Sequence, residues 1–193
     1  MNWRRWSVPL SIAACCLALA LGGDAARRWA SYDRTAVESG QAWRLVTAHL
    51  VHLGWGHLWP NLLALLLIGG LLEEFLKPLE WLVASVVTAV AISLGLYLLD
   101  PDTQWYVGLS GVLHGLVACG AAVMLMTRTF GLGGALAAGL GLKLAWEQVY
   151  GPVPLTAASV GGAVVVAAHL YGAIAGAATG LVLAIVRRRA SRL

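Results

Sequence analysis

Apolar residues run along this chain in long blocks unbroken by charge, and most of the charged residues gather between the blocks. Residues 105–123, WYVGLSGVLHGLVACGAAV, contain no Asp, Glu, Lys or Arg. A membrane-crossing helix needs roughly 20 mostly apolar residues. Six blocks reach or approach that length, at about residues 7–23, 55–74, 79–99, 108–127, 129–147 and 158–186. The second is closed by Glu73 and Glu74, and the fifth is Gly-rich and carries Lys143 near its far end. The sixth lies within the uncharged stretch from Val153 to Val186, which exceeds one upright helix, so its Pro-containing start is expected to be loop. The pattern predicts an all-α polytopic membrane protein, a bundle of six transmembrane helices forming a single domain over residues 1–193.

Composition agrees with this reading. The chain is 60% hydrophobic and 11% charged, with a mean hydropathy of +0.78. Soluble domains carry about 25% charged residues, so a soluble globule of this size is excluded.

The net charge of +4 reports topology. Lys and Arg concentrate in cytoplasmic loops. Arg4 and Arg5, Lys77, Arg128, and the group Arg187, Arg188, Arg189 and Arg192 fall on one side of a six-span arrangement. The connections at residues 100–104 and 151–159 hold no basic residue. Both termini are therefore expected to be cytoplasmic. Reading the first block as a signal peptide leaves five spans, which would put the two ends on opposite sides. One connection departs from the rule: residues 24–54 hold Arg27, Arg28, Arg34 and Arg44 on the outer side. Its tryptophans, Trp29, Trp43 and Trp55, suggest that it folds against the bilayer interface. No basic-aromatic motif accompanies the charge, so no nucleic-acid partner is expected. Cys15, Cys16 and Cys119 all lie inside spans, where they read as small buried hydrophobes.

Strongly polar side chains inside spans are costly and point to function. His57, Asn61, Ser110, His114, Lys143, Glu147 and His169 make up that group. His57 and Asn61 are four residues apart and share a helical face. Pro60 between them is best tolerated in a first turn, which places the helix start near His57. Ser110 and His114 are likewise four apart, flanked by Gly108, Gly111 and Gly115. His169 lies on one stripe with Gly172, Gly176 and Gly180. Two glycine faces permit close helix approach, and Ser110 Oγ could then reach a nitrogen of His169, the nucleophile–base geometry of acyl transfer. His57, Asn61 and the Ser110 backbone N–H could supply oxyanion donors. No third member is needed to orient His169, although His114 or a tyrosine ring could brace it. Lys143 and Glu147 read as an interfacial ion pair with a snorkelling lysine, in preference to a role in substrate recognition. Glu73 and Glu74 read as solvated or paired with Lys77, and His49 and His52 as structural or solvated.

Taken together, "GLSG" opening one span, "AH" with glycines three and seven residues on, "HxxxN" on an earlier span and "WR" at Trp43-Arg44 resemble the rhomboid intramembrane serine proteases. The likeness runs over about residues 43–180. It implies that Ser110 is the nucleophile and His169 its base, as a dyad without an acid. It also implies that His57 and Asn61 line the oxyanion site, that the fifth span is a lateral substrate gate, and that no metal or cofactor takes part. The implied place is an integral membrane protein of a bacterial inner membrane, with the site opening outward. "YVGLSGVLHGL" in a compact six-span chain is similar to the rhombosortase branch. That implies transmembrane protein substrates in the lipid bilayer, exported proteins whose C-terminal anchor combines glycines, one apolar span and a basic tail. Two departures stand out. His114 occupies the place where rhomboids often carry an aromatic stacked on the histidine, and Pro60 interrupts HxxxN. Two other classes fit less of the pattern. One is a catalytically silent rhomboid-like protein that binds transmembrane clients. The other is a metal transporter using His57, His114 and His169, which would ordinarily show internal repeats and intramembrane acids.

Overall fold

A computed structural model of the chain describes residues 4–154 and 162–190. The protein is an all-α polytopic membrane bundle. Its long helices are α1 (Ser7–Leu21), α5 (Trp55–Leu72), α6 (Pro78–Leu99), α7 (Ser110–Met126), α8 (Phe130–Tyr150) and α9 (Val166–Ala190). Short helices α2 (Gly23–Ala30), α3 (Arg34–Glu38) and α4 (Arg44–Thr47) fill the first connection. Strand β1 (Tyr32–Asp33) pairs antiparallel with β2 (Trp105–Tyr106), setting Tyr32 opposite Tyr106.

The long helices occupy the predicted blocks with adjusted ends. α9 begins at Val166 rather than at 158 and runs on to Ala190; residues 158–161 of that expected span lie outside the described residues, as does part of the 151–159 connection. Among the described residues, α5, α6 and α9 are long and apolar enough to cross a membrane individually. The pair α1 and α2 meets the same measure jointly but is bent by 119°. α7 is apolar but only 17 residues long. α8 has 21 residues and carries Lys143, Glu147 and five glycines, which dilute its apolar character.

α7 is the central helix, with 12 of its 17 residues buried. Small residues explain how its neighbours come so close. A Cβ on Gly172 would run into the Gly111 carbonyl, one on Gly176 into the Gly115 backbone, and one on Gly180 into the Cys119 carbonyl. These pairs recur every four residues on each helix, so α7 and α9 touch backbone to backbone over two turns. Dispersion between tightly packed atoms then replaces the hydrophobic drive that lipid removes.

The first connection is a folded cap. Three of the arginines that break the charge rule are spent on backbone carbonyls. Arg34 donates to Leu96, Tyr97 and Asp100 at the end of α6. Buried Arg44 donates to Arg28 and Ser31 carbonyls and to Gln41, and Arg27 donates to Leu53. At the opposite end of the bundle Arg5 pairs with Glu74 at 2.7 Å and Arg187 with Glu80. Glu74, expected to be solvated or paired with Lys77, is exposed and pairs with Arg5. Lys77 instead caps α6, its N–H donating to Glu80 Oε2.

Candidate active site

Two backbone features present Ser110. The loop before it takes Gly108 to φ +124°, a left-handed conformation suited to glycine. A Cβ there would also lie 2.8 Å from the His57 ring. Gly108 N–H donates to the Ala48 carbonyl and Tyr106 Oη donates to the Gly108 carbonyl, which ties the loop to the cap. α7 starts at Ser110 without a side-chain cap. Ser110 therefore stands at the positive dipole end of the helix.

Ser110 Oγ lies 2.9 Å from His169 Nε2, as the sequence expectation requires. The same imidazole has a second partner. His169 Nδ1 lies 2.8 Å from Glu147 Oε2, and both residues are 1% exposed. Lys143 Nζ donates to the other carboxylate oxygen at 2.6 Å. A carboxylate can only accept, so His169 carries its proton on Nδ1 and Nε2 accepts from the Ser110 hydroxyl. The described arrangement is a chain Ser110–His169–Glu147–Lys143. The resemblance implies a pair without an acid, and here His169 has a carboxylate on its other nitrogen; Lys143 and Glu147 form the expected i, i+4 pair and also reach His169. Glu147 points inward because α8 turns that face toward α9. An acid inside an apolar block was the available signal.

His114 stacks on His169, with ring centroids 4.1 Å apart and planes 10° from parallel. Its Nδ1 lies 2.7 Å from the Ser110 carbonyl, so it donates from Nδ1. Both open options for His114, stacking and hydrogen bonding, are realised at once. The donor atoms of His114, Glu147 and His169 fall within 4.8 Å of one another, a spacing that could suit a cation. Both His169 nitrogens, both Glu147 oxygens and His114 Nδ1 already have protein partners, however, which leaves His114 Nε2 without a partner among the described residues. The intramembrane acid thought missing from a metal site is present as Glu147, while His57 stands outside this group.

His57 and Asn61 are buried on one face of α5. The helix begins at Trp55, two residues before the expected start, and Pro60 is its sixth residue. Pro60 cannot donate to the Gly56 carbonyl; Gly56 is exposed, so that carbonyl can be satisfied outside the bundle and the helix continues. His57 Nδ1 accepts the Leu53 N–H at 3.4 Å, which puts its proton on Nε2. Asn61 Nδ2 donates one hydrogen to the His57 carbonyl at 2.8 Å and keeps a second. A cavity of about 260 Å³ is lined by His57, Asn61, Ser110, Tyr106 and Val165. A second, apolar cleft of about 400 Å³ between α5 and α8 also reaches Asn61 and Ser110, past Ile68, Leu136 and Leu140. Ser110 thus sits where a mostly apolar cavity, with His57 and Asn61 in its wall, meets a cleft open along the side of the bundle.

His49 and His52 are buried and structural. His49 Nε2 lies 3.0 Å from Ser93 Oγ, and its ring packs on Tyr106. His52 meets the His57 ring edge-on at 4.9 Å.

Fold and site together describe an integral membrane protein that holds a serine, a histidine and a carboxylate in one hydrogen-bonded line beside a lateral cleft. The profile of the Rhomboid domain matches residues 39–186, and the chain belongs to the rhomboid family. It is also 32% identical over 80 residues to the "Putative rhomboid protease YdcA" of Bacillus subtilis (strain 168). That match covers 42% of this chain and 40% of the length of that curated relative.

Proposed function

We propose that this protein is an intramembrane serine endopeptidase that cuts single-span membrane proteins near the end of the bundle where Ser110 lies. The observation that carries the reading is the 2.9 Å contact between Ser110 Oγ and His169 Nε2 at the head of a buried helix. Ser110 attacks the scissile carbonyl while His169 takes its proton and later delivers it to the leaving amine. The oxyanion meets the Ser110 N–H at the start of α7, the His57 Nε2–H and the free Asn61 N–H. The tautomer of His57 supports this role, since its Nδ1 is occupied by Leu53. The substrate helix docks along the apolar cleft between α5 and α8, with α8 as the lateral gate, and its unwound end enters the cavity walled by His57 and Asn61. The basic residues Arg5, Lys77, Arg128 and Arg187 mark the cytoplasmic end of a six-span arrangement, so the site opens toward the exterior of a bacterial inner membrane.

Within the family, "YVGLSGVLHGL" supports the rhombosortase branch. Its substrates are exported proteins with a C-terminal anchor of glycines, one apolar span and a basic tail. Glycines suit a cut site here because they unwind readily from a helix.

The test is co-expression with a protein bearing such an anchor. Mass spectrometry of the new terminus is expected to find a cut beside the glycines. Cleavage and fluorophosphonate labelling are both expected to vanish in Ser110→Ala, and cleavage in His169→Ala. Wild-type turnover in His169→Ala would refute the serine–histidine assignment. Activity that survived Ser110→Ala but disappeared with a chelator would favour metal chemistry at His114, Glu147 and His169.

A further inference from the structure

We propose that Glu147 is a positioning residue that completes a Ser110–His169–Glu147 triad, with Lys143 fixing the carboxylate from behind. The inference rests on the serine protease reading above and adds to it a third member that a serine–histidine dyad lacks.

Three observations carry it. First, the carboxylate is aimed. Oε2 meets His169 Nδ1 at 2.8 Å and Oε1 meets Lys143 Nζ at 2.6 Å. Both oxygens are held, and the plane of the carboxylate is set by two partners. Second, the acid is out of place by any structural measure of its helix. α8 buries only Gly133 and Glu147 among its 21 residues. Gly133 packs on Met124 and Leu125 of α7. Glu147 is the one buried polar contact that α8 makes near the Ser110 end, and an apolar cleft of about 320 Å³ separates α8 from α9 farther along. An acid serving stability alone would be better replaced by a packed apolar residue, since a buried ion pair gives little net stabilisation. Third, the proton inventory fits. The Nδ1–H tautomer that Glu147 selects is the one in which Nε2 can accept from Ser110.

The chemistry follows from the charges. Ser110 loses its proton to His169 Nε2 as its oxygen bonds the carbonyl carbon, and the buried imidazole becomes a cation. Glu147 keeps its negative charge and takes no proton; it stabilises that cation through space and through the Nδ1–H bond. When the C–N bond breaks, the Nε2 proton passes to the leaving nitrogen and the imidazole is neutral again. Lys143 neutralises the carboxylate while the site rests, and its partial exposure lets its ammonium stay near the interface. His114, stacked on the other side, donates to the Ser110 carbonyl and so leaves the His169 nitrogens to their two partners. The ionisable groups that face His169 are thus Glu147 and Lys143 from α8, His114 from α7 and His57 from α5.

The test compares Glu147→Gln, Glu147→Asp and the double variant Lys143→Met/Glu147→Gln with the wild type in detergent. It reads kcat, KM, the pH profile of kcat/KM and Tm. Glutamine keeps the size of the side chain but removes the charge that selects the tautomer. In serine triads, losing the charge of the acid costs about 10⁴ in kcat. Here a loss of about 10²–10⁴-fold in kcat is expected, with KM within about twofold. The acid limb of the profile is expected to move when the anion facing His169 is removed. Aspartate is expected to recover part of the rate. The double variant is expected to match Glu147→Gln in rate, which shows that a stranded lysine is not the cause. The inference is overturned if kcat in Glu147→Gln stays within about threefold of wild type with an unmoved acid limb. It is also overturned if the three variants lose activity only in step with a collapsed Tm. Wild-type activity that persisted in Ser110→Ala would instead bring down the underlying protease reading.

Discussion

At the scale of single residues, the proposed site divides into donors, a base and an acid, and each was visible in the sequence to a different degree. His57 and Asn61 share a face at i, i+4, and that relation survives Pro60 because α5 starts earlier than a first-turn proline would demand. Their contributions should differ. His57 presents Nε2–H toward the cavity, whereas Asn61 gives one of its hydrogens to the His57 carbonyl and has one to offer. His57→Ala is therefore expected to lower kcat more than Asn61→Ala, with the two together costing about 10–10³-fold, the range for oxyanion donors. Steady-state kinetics on a purified anchor substrate decides it, and an unchanged kcat in both variants removes them from the site. Ser110 and His169 could be singled out because a hydroxyl and an imidazole are poor company for lipid. The place of Glu147 could not be read the same way. Its spacing from Lys143 is that of any helical ion pair, and which way α8 turns it depends on how α8 sits against α9, a tertiary fact that the periodicity of one helix does not hold.

At the scale of elements, the glycine stripes set the distance between α7 and α9, and that distance sets the Ser110–His169 contact. The stripes were legible because Gly-x-x-x-Gly has one main use between apolar helices. The substitution that tests this is Gly176→Val, whose Cβ would overlap the Gly115 backbone. Neither helix can yield locally, so the pair must separate, and a lower Tm in detergent together with loss of fluorophosphonate labelling is expected. Gly139→Ala on α8 is the matched control, since a Cβ there meets nothing within 4 Å. It is expected to leave Tm unchanged or slightly raised, because alanine favours helix over glycine by about 1 kcal/mol. Equal Tm for the two variants would contradict the close-contact account. The first connection was less legible: its arginines resembled a breach of the charge rule. Arg44 and Arg34 are carbonyl caps at the ends of α2 and α6, a use that becomes visible only when residues 24–54 are folded against the bundle.

At the scale of the whole molecule, that folded cap is what holds the pre-serine loop in place, through β1–β2 pairing, the Gly108–Ala48 hydrogen bond and the packing of His49 on Tyr106. Its stability should therefore depend on pH in a way separate from catalysis. Burial pushes His49 down to about 4. Burial, and then the neighbouring His57, push His52 down to about 3. Neither His52 ring nitrogen has a partner among the described residues. In the unfolded chain both return to about 6.5. The native state keeps them neutral while the unfolded state takes up protons below that value, so stability rises with pH wherever the unfolded chain binds more protons. The full contribution is present above about pH 6.5 and is lost steadily as pH falls toward 4 and then 3. Thermal melts in detergent from pH 8 to pH 4 are expected to show a plateau followed by a falling Tm. In His49→Gln the amide can still donate to Ser93 but cannot titrate. That variant is expected to melt lower than wild type at pH 8, yet to lose less Tm between pH 7 and pH 5. Because the readout is Tm and not turnover, the difference between variant and wild type isolates the cap. A wild-type Tm that stayed flat from pH 7 to pH 4, or a slope in His49→Gln as steep as in wild type, would mean that the cap is not held by its neutral histidines.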